Sequence, residues 1–450
     1  FLVLSGQEVT TSDLGDVLVF GAGRSIQKGV SLAEIREKFP RTALVLAHPY
    51  RKKGSPSKEK LLHPLLDGVE IFSTNHSISE SQHALEDWHK YKFTAIGGTD
   101  THTLSSTGTY PTQFDHPIGT MEQLVEEIRK GRCRPYFQEI PKLGTTRTRI
   151  REVRIGPGSA EGKQDRLIVK QFTTEEEFED AYRSFHILRA LTEAGFGDGP
   201  YRVPKPLDEN KEDLVLIEEA VHGTTLHRKM LESDRREANS CLRSAAVWLA
   251  KFHNLSLRIT PTGEFLEREP RRLNWYLKDM FRIKHPHRHR ARELLEAVLQ
   301  IERNFYENRL EALIQGHGDF HPKNIFIGRD VPEDPQTEFV AAIDFNSSYR
   351  LPRAFDVGTF LAQYRNQFFS NPETLRKAPE KAFLNAYMEE AEELDKDFAD
   401  QVELFKTRTS LSILYYLVKV GLGDSENFWK VLVDAEQSLN RVAVHEKARV

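Results

Sequence analysis

Cysteine is nearly absent from this chain. Two of its 450 residues are cysteine, Cys133 and Cys241, far apart and without the spacing of metal ligands. That excludes a disulfide framework and makes a reducing cytoplasm the expected setting. Long apolar runs are also missing: none reaches the roughly 18–20 residues that span a bilayer, and no signal peptide is apparent. There is little excess charge of either sign. A net charge of −4 gives no reason to expect a nucleic-acid or anionic-membrane partner. Internal repeats and low-complexity tracts are lacking as well. What remains, 39% hydrophobic and 29% charged residues, is an ordinary globular balance with room for two or three domains. The chain opens on Phe1-Leu2-Val3-Leu4 rather than Met, which reads as a strand entered midway. Further residues are expected upstream.

Residues 1–140 alternate short apolar runs with helical stretches. Val17–Phe20, Ala43–Ala47, Gly68–Phe72 and Phe93–Ile96 read as buried strands. Leu32–Phe39, Ser79–Lys90 and Met121–Lys130 read as amphipathic helices, the last with Thr120 as N-cap and Gln123 as capping-box partner. The alternation predicts an α/β layer or barrel domain. Polar residues with Pro and Gly at 138–150 mark a boundary, with 141–150 as a linker. Beyond it, Glu152–Ile155 and Arg166–Phe172 read as strands around a Gly-bearing turn, followed by a helix at Glu175–Glu193 and a strand pair near Leu214–Glu218. From residue 235 the chain is mostly helical, interrupted by a polar segment at 317–347.

That segment carries the chemistry. His317-Gly-Asp319-Phe-His321-Pro-Lys-Asn324 is followed by Ile343-Asp344-Phe345 at the end of an apolar strand. Asp319 and Asn324 share one loop, so Asp319 can face an acceptor hydroxyl while Asn324 turns back to a metal. A carboxylate at a strand end, Asp344, can complete a Mg²⁺ shell with nucleotide phosphates. These are the parts of a phosphoryl-transfer site, with His317 bracing the loop.

Here the sequence resembles the aminoglycoside phosphotransferase and choline kinase-like family, relatives of the protein kinases, over about 300 residues. Gly316–Asn324 is similar to its catalytic loop, Ile343-Asp344-Phe345 to its metal motif, and Phe355-Asp356-Val-Gly358 to a helix start whose Asp steadies the loop. Val203-Pro204-Lys-Pro206, Leu216-Ile217-Glu218-Glu219 and Gly223-Thr-Thr-Leu226 resemble the segments around the interlobe hinge, and Leu249-Ala250-Lys-Phe-His253 a Leu-Ala-x-Leu-His helix. The resemblance implies a two-lobed kinase-like fold over 151–450, with a small lobe at 151–226 and a helical lobe at 227–450. It implies Asp319 as catalytic base, Asn324 and Asp344 as Mg²⁺ ligands, and Lys170 on the nucleotide phosphates. Main-chain groups near Glu219–Val221 would meet adenine, and the turn with Gly158 and Ser159 would cover the phosphates. The family pairs its strand lysine with a glutamate on the next helix. Ser184 stands near that position here, with Glu179 or Asp180 one turn earlier as substitutes.

The front end has a second constellation. Apolar strands end in His48-Pro49 and in Thr99-Asp100-Thr101-His102, and Ser5-Gly-Gln-Glu8-Val9 has the same form. In a βα barrel such strand ends converge, so their side chains can share metals. The pattern resembles the PHP (polymerase and histidinol phosphatase) superfamily over residues 1 to about 137. By that resemblance Glu8, His48, Asp100 and His102 are ligands of a phosphoesterase metal centre holding Zn, Mn or Fe, and Glu70 is a ligand or a neighbour. The superfamily's opening His-x-His and Thr-Asp-His strands are not in this sequence.

Three further features have plainer readings. His285, His287 and His289, interleaved with Lys and Arg, read as a solvated basic loop. Ser73–His76 reads as a polar loop, and Trp248 and Phe252 as core at helical spacing. The whole is expected to be an incomplete PHP-like α/β barrel followed by an α+β kinase-like domain. Its expected activity is ATP- and Mg-dependent phosphorylation of a small-molecule hydroxyl. The rivals are a metal phosphoesterase with a regulatory kinase-like domain, for which it would also be a hydrolase, and a non-catalytic nucleotide sensor.

Overall fold

The computed structural model describes residues 2–51, 56–73, 76, 78–100, 110–142, 148–155, 165–331 and 333–447. The chain forms two compact units. The first comprises Phe1–Phe178 with Leu207–Ala220, the second Glu179–Pro206 with Val221–Val450.

The first unit contains two five-stranded sheets. The N-terminal one is built from β1 (Gly6–Thr10), β2 (Asp16–Phe20), β3 (Ala43–Leu46), β4 (Gly68–Phe72) and β5 (Ala95–Gly97), in that order. Helices α1 (Leu32–Lys38), α2 (Lys58–Leu61) and α3 (Ile78–Tyr91) connect them. Strands β3, β4 and β5 are parallel, as the strand–helix alternation predicts. Strands β1, β2 and β3 run antiparallel. A tight turn joins the first two, closed by Thr11 N donating to Gly15 O, with Gly15 at φ 97°. Among the described residues the sheet is therefore open, not a barrel, and Glu8 lies mid-strand rather than at a strand end. Beyond it, β6 (Thr112–Phe114) pairs with β7 (Cys133–Pro135) around α4 (Met121–Arg129), whose capping box from Thr120 to Gln123 is present.

The second sheet contains β8 (Phe137–Lys142), β9 (Thr148–Ile155) and β10 (Asp165–Phe172). The chain then leaves through α5 (Glu175–Leu191) and β11 (Tyr201–Arg202), which belongs to the second unit's sheet. It returns with β12 (Pro206–Asn210) and β13 (Val215–Glu219), giving the order β12-β13-β10-β9-β8. Both ends of the expected linker are thus strand. β8 pairs with β9 from Phe137↔Ile155 to Lys142↔Ile150, and 143–147 lie outside the described residues. Phe72, Ile71 and Ala84 share a core with Val153, Leu167 and Ile217, so the two sheets fold as one body.

The second unit has a four-stranded sheet and a helical bulk. β14 (Thr224–Thr225), α6 (Leu226–Glu232), α7 (Arg235–Asn254), α8 (Glu264–Arg282) and α9 (Arg288–Tyr306) lead to β15 (Ile314–Gln315), β16 (Ile325–Arg329), β17 (Glu338–Ala342) and β18 (Arg350–Leu351). Helices α10 (Arg353–Gln367), α11 (Pro372–Lys377), α12 (Glu380–Glu390), α13 (Phe398–Lys419) and α14 (Glu426–Lys447) follow. Trp248 and Phe252 are buried core, as their spacing predicts, and each such ring contributes about 1.5–3 kcal/mol through burial. The histidine-rich segment is not a solvated loop. His285 is buried, its Nε2 3.2 Å from Gly423 O, and His287 packs edge-on to Trp429 of α14. The rings cover an apolar helix face that the intervening Arg and Lys had masked in the sequence. No helix among the described residues is long and apolar enough to cross a membrane.

Candidate active site

The loop 316–324 runs from β15 to β16, and Asp344 follows β17. Strands β16 and β17 are antiparallel with Ile325 opposite Ala342. The ladder continues one step, Ile343 N donating to Asn324 O at 2.9 Å, so Asp344 emerges beside Asn324. Asn324 Nδ2 in turn donates to Asp319 O at 3.1 Å and lies 3.5 Å from Asp319 Oδ2. The three residues singled out by spacing therefore share one neighbourhood. Asp344 holds a left-handed backbone, φ 66° and ψ 68°, which costs a non-glycine residue free energy. Its carboxylate makes no hydrogen bond or ion pair among the described residues.

The loop is clamped from beneath. Asp356, in the first turn of α10 and fully buried, accepts from His317 N (2.7 Å) and Gly318 N (2.8 Å). His253 from α7 reaches the same carboxylate through Nε2 at 3.2 Å, and its Nδ1 lies 2.7 Å from Tyr387 Oη. His317 accepts from Asp319 N at Nδ1 (3.3 Å) and donates from Nε2 to Ile343 O (3.0 Å), so its ring stitches the loop to the strand leading to Asp344. Burial pushes both histidines below the ordinary imidazole range, which keeps them neutral and structural. Gly318 has φ 79°, and a Cβ there would sit 1.9 Å from Ser347 O, so only glycine lets the loop pass.

Burial works to raise the Asp319 carboxyl, but it is outweighed. The neighbouring His321 is the main influence that holds it below the usual carboxylate range. His321 Nε2 is 3.6 Å from Asp319 Oδ2, which makes it an electrostatic partner of the carboxylate rather than a second base.

In the first unit, Lys170 Nζ lies 2.7 Å from Glu218 Oε1. Lys170 pairs with Leu216 and Ile168 with Glu218, so lysine and glutamate are diagonal neighbours on one sheet face. The partner is thus a strand residue, whereas Asp180 lies 3.6 Å from Arg183 on its own helix. Glu219 closes β13, and Val221 N makes no hydrogen bond among the described residues. Gly158 and Ser159 lie outside the described residues.

The front-end residues also gather. Ligand atoms of Glu8, Asp16 and His48 lie within 4.8 Å of one another, with His48 Nε2 3.6 Å from Glu8 Oε2. Asp16 escaped the sequence reading. It faces the same side of the β1–β2 hairpin as Glu8, a parity that the register Thr10↔Asp16 reveals. Beneath them Glu70 accepts from His48 N at 2.8 Å. Burial, then the nearby Asp100 and Glu8 charges, push its carboxyl up to about 7 against that hydrogen bond. A Cβ on Gly98 would meet Glu70 Oε1 at 1.9 Å, so glycine makes room for the carboxylate. His48 and Asp100 both hold positive φ, 30° and 37°. His102 lies outside the described residues.

Asp319, Asn324 and Asp344 lie inside the longer of two family-model matches. No curated protein matches the sequence. Among solved structures, an ethanolamine kinase from Plasmodium vivax is 15% identical, the match covering 67% of this chain and 81% of that one with a TM-score of 0.44. A choline kinase from Cryptosporidium parvum Iowa II is 14% identical over 69% and 91% of the two chains, with a TM-score of 0.45. The choline kinase LicA from Streptococcus pneumoniae is 16% identical over 68% and 93%, with a TM-score of 0.42. A model of PHP-associated sequences matches residues 81–133, and the model of the phosphotransferase enzyme family matches residues 156–395, more than half of the chain. The chain belongs to the phosphotransferase enzyme family.

Proposed function

We propose that this protein transfers the γ-phosphoryl group of ATP to a hydroxyl of a small molecule, with Mg²⁺ as cofactor. The observation that carries the reading is the convergence of Asp319, Asn324 and Asp344 above a loop clamped by Asp356. The donor set fits a hard cation. Asn324 uses its Nδ2 on Asp319, which leaves Oδ1 for a metal, and the Asp344 carboxylate has no protein partner among the described residues. When bound, Mg²⁺ supplies positive charge to the phosphate oxygens as charge develops on them.

Asp319, whose carboxyl is held below the usual range, accepts the proton of the acceptor hydroxyl. The acceptor oxygen forms its bond to Pγ as the bond from Pγ to the bridging oxygen breaks, and ADP leaves with that electron pair. Lys170, oriented by Glu218, holds the nucleotide phosphates. Gly158 and Ser159 would cover those phosphates, and the main chain of Glu219 and Val221 would take the adenine. The test is a screen of metabolite alcohols for ADP formation by the purified chain with Mg²⁺. Nucleotide binding without ADP formation across a broad panel would favour a sensor.

A second reading is supported by the Glu8, Asp16 and His48 cluster over buried Glu70: a PHP-derived phosphoesterase centre, with Asp100 and His102 as further ligands. The set suits Zn, Mn or Fe. The full chain is then expected to bind Mn²⁺ or Zn²⁺ with at least micromolar affinity in calorimetry, as dedicated sites do, and a Glu8→Gln, Asp16→Asn double variant is expected to lose that binding while its ATP-dependent activity stays unchanged. Equal metal uptake by both proteins would remove the site.

A further inference from the structure

A cavity of about 660 Å³ lies between α3 and the second sheet, and every described residue that lines it belongs to the first unit. Its floor is one face of that sheet. Leu167, Val169 and Gln171 of β10 line it, and the register sets Val153 of β9 beside Leu167, and Ile217 and Val215 of β13 beside Val169 and Gln171. Lys170 and Glu218 alternate with these residues and occupy the opposite face. The cavity and the Lys170–Glu218 pair therefore share strands but not a side.

The roof is α3. Its Ala84 and Trp88 turn to the shared core, where Ala84 is buried and Trp88 packs on Phe137 with ring centroids 6.3 Å apart. Ser81, Leu85 and His89, spaced by four, form the face over the floor. A helix packed onto a sheet as core would carry apolar side chains at all three positions, and close packing leaves few voids larger than a water. Here a hydroxyl and an imidazole flank a single leucine, and the apolar floor keeps open space above it.

The polar groups define what that space accepts. Ser81 Oγ and the Gln171 amide make no side-chain hydrogen bond among the described residues, so both are open to a neutral donor or acceptor. Charged side chains are present in both signs, Glu86, Asp87 and Asp213 against Lys90 and Arg151. Two of the carboxylates already have partners: Asp87 Oδ2 accepts from Tyr50 Oη at 3.1 Å, and Asp213 Oδ2 from Asn210 Nδ2 at 2.8 Å. Glu86, Lys90 and Asp213 are exposed, where water and salt screen them. Neither sign prevails, and an ion over the apolar floor would lose hydration without compensation.

We propose that this cavity binds a neutral, mainly apolar small molecule, its apolar body on the Val169 floor and its hydrogen-bonding group taken by Ser81 or Gln171. A space of this size holds a drug-sized ligand. The site is separate from the phosphoryl-transfer residues and does not depend on the kinase reading.

The experiment titrates the full chain with three fluorescent probes of one ring system: neutral phenylnaphthylamine, its anionic sulfonate and its trimethylammonium derivative. The neutral probe is expected to bind saturably, one per chain, with a micromolar Kd at least about tenfold tighter than either charged probe. Excess MgATP should leave it bound, because Lys170 lies on the other face of the sheet. Hydrogen exchange of the unaltered chain should show the probe protecting 81–90, 151–155, 167–171 and 213–217. Val169→Phe and Leu85→Trp put bulk into the space, and each should weaken probe binding at least about tenfold with little change in the urea midpoint. Non-saturable binding, displacement by MgATP, tighter binding of a charged probe, or protection elsewhere overturns the proposal. So does full probe affinity in both variants. If neither variant folds, the exchange map of the unaltered chain decides.

Discussion

Replacing Asp319 with alanine is expected to lower phosphoryl transfer by about 10²- to 10⁴-fold while ATP affinity stays within a few-fold, the range for loss of a positioned general base. The side chain faces outward from a loop whose main chain is held by other groups. His317 and Gly318 are fixed through Asp356, and Asn324 binds the Asp319 carbonyl rather than relying on its carboxylate. Truncation therefore removes the proposed proton acceptor without releasing the loop. Asp319→Asn keeps the shape and removes the charge, so it should be nearly as slow as the alanine variant. Single-turnover kinetics with a nucleotide-binding titration separate the two effects. Unchanged turnover would discard Asp319 as the base, and a parallel collapse of nucleotide affinity would make it a metal ligand instead.

Replacing Asp356 with alanine is expected to destabilise the second unit by about 3–5 kcal/mol and to abolish most activity with it. The carboxylate is fully buried and serves three donors: His317 N, Gly318 N and His253 Nε2. Without it, two buried main-chain N–H groups lose their acceptor. Trp248 provides the probe, since its ring stacks on Phe320 of the same loop with centroids 5.5 Å apart. A drop in the urea midpoint of its fluorescence is the expected result, and an unchanged midpoint would mean that the clamp is dispensable. The same arrangement makes the unit acid-labile. His253 and His317 have folded pKa values below the ordinary value of about 6.5. The unfolded chain therefore binds more protons, and stability should fall as pH drops below about 6.5.

Much of this was legible residue by residue. The capping box of α4 depends on four consecutive residues, and its position came out as expected. The spacing of Asp319, Asn324 and Asp344 lies within one loop and one strand pair, so the chain itself brings them together. Glu218 was different. It stands 48 residues from Lys170, and only the register of β10 against β13 makes the two diagonal neighbours. Asp16 was hidden in the same way, by the parity of a hairpin whose turn the sequence did not announce. Strand–helix alternation allowed a layer or a barrel and the PHP resemblance pointed to the barrel, but the β1–β2 hairpin breaks the alternation.

By itself the sequence determined the local elements, the family and the candidate residues of the phosphoryl-transfer site, because periodicity, caps and loop spacing are set by neighbours along the chain. Tertiary structure alone decided which carboxylate serves Lys170 and which histidine backs Asp356. Those pairings depend on strand register and on helices packing across long separations in sequence, which no short window of residues encodes.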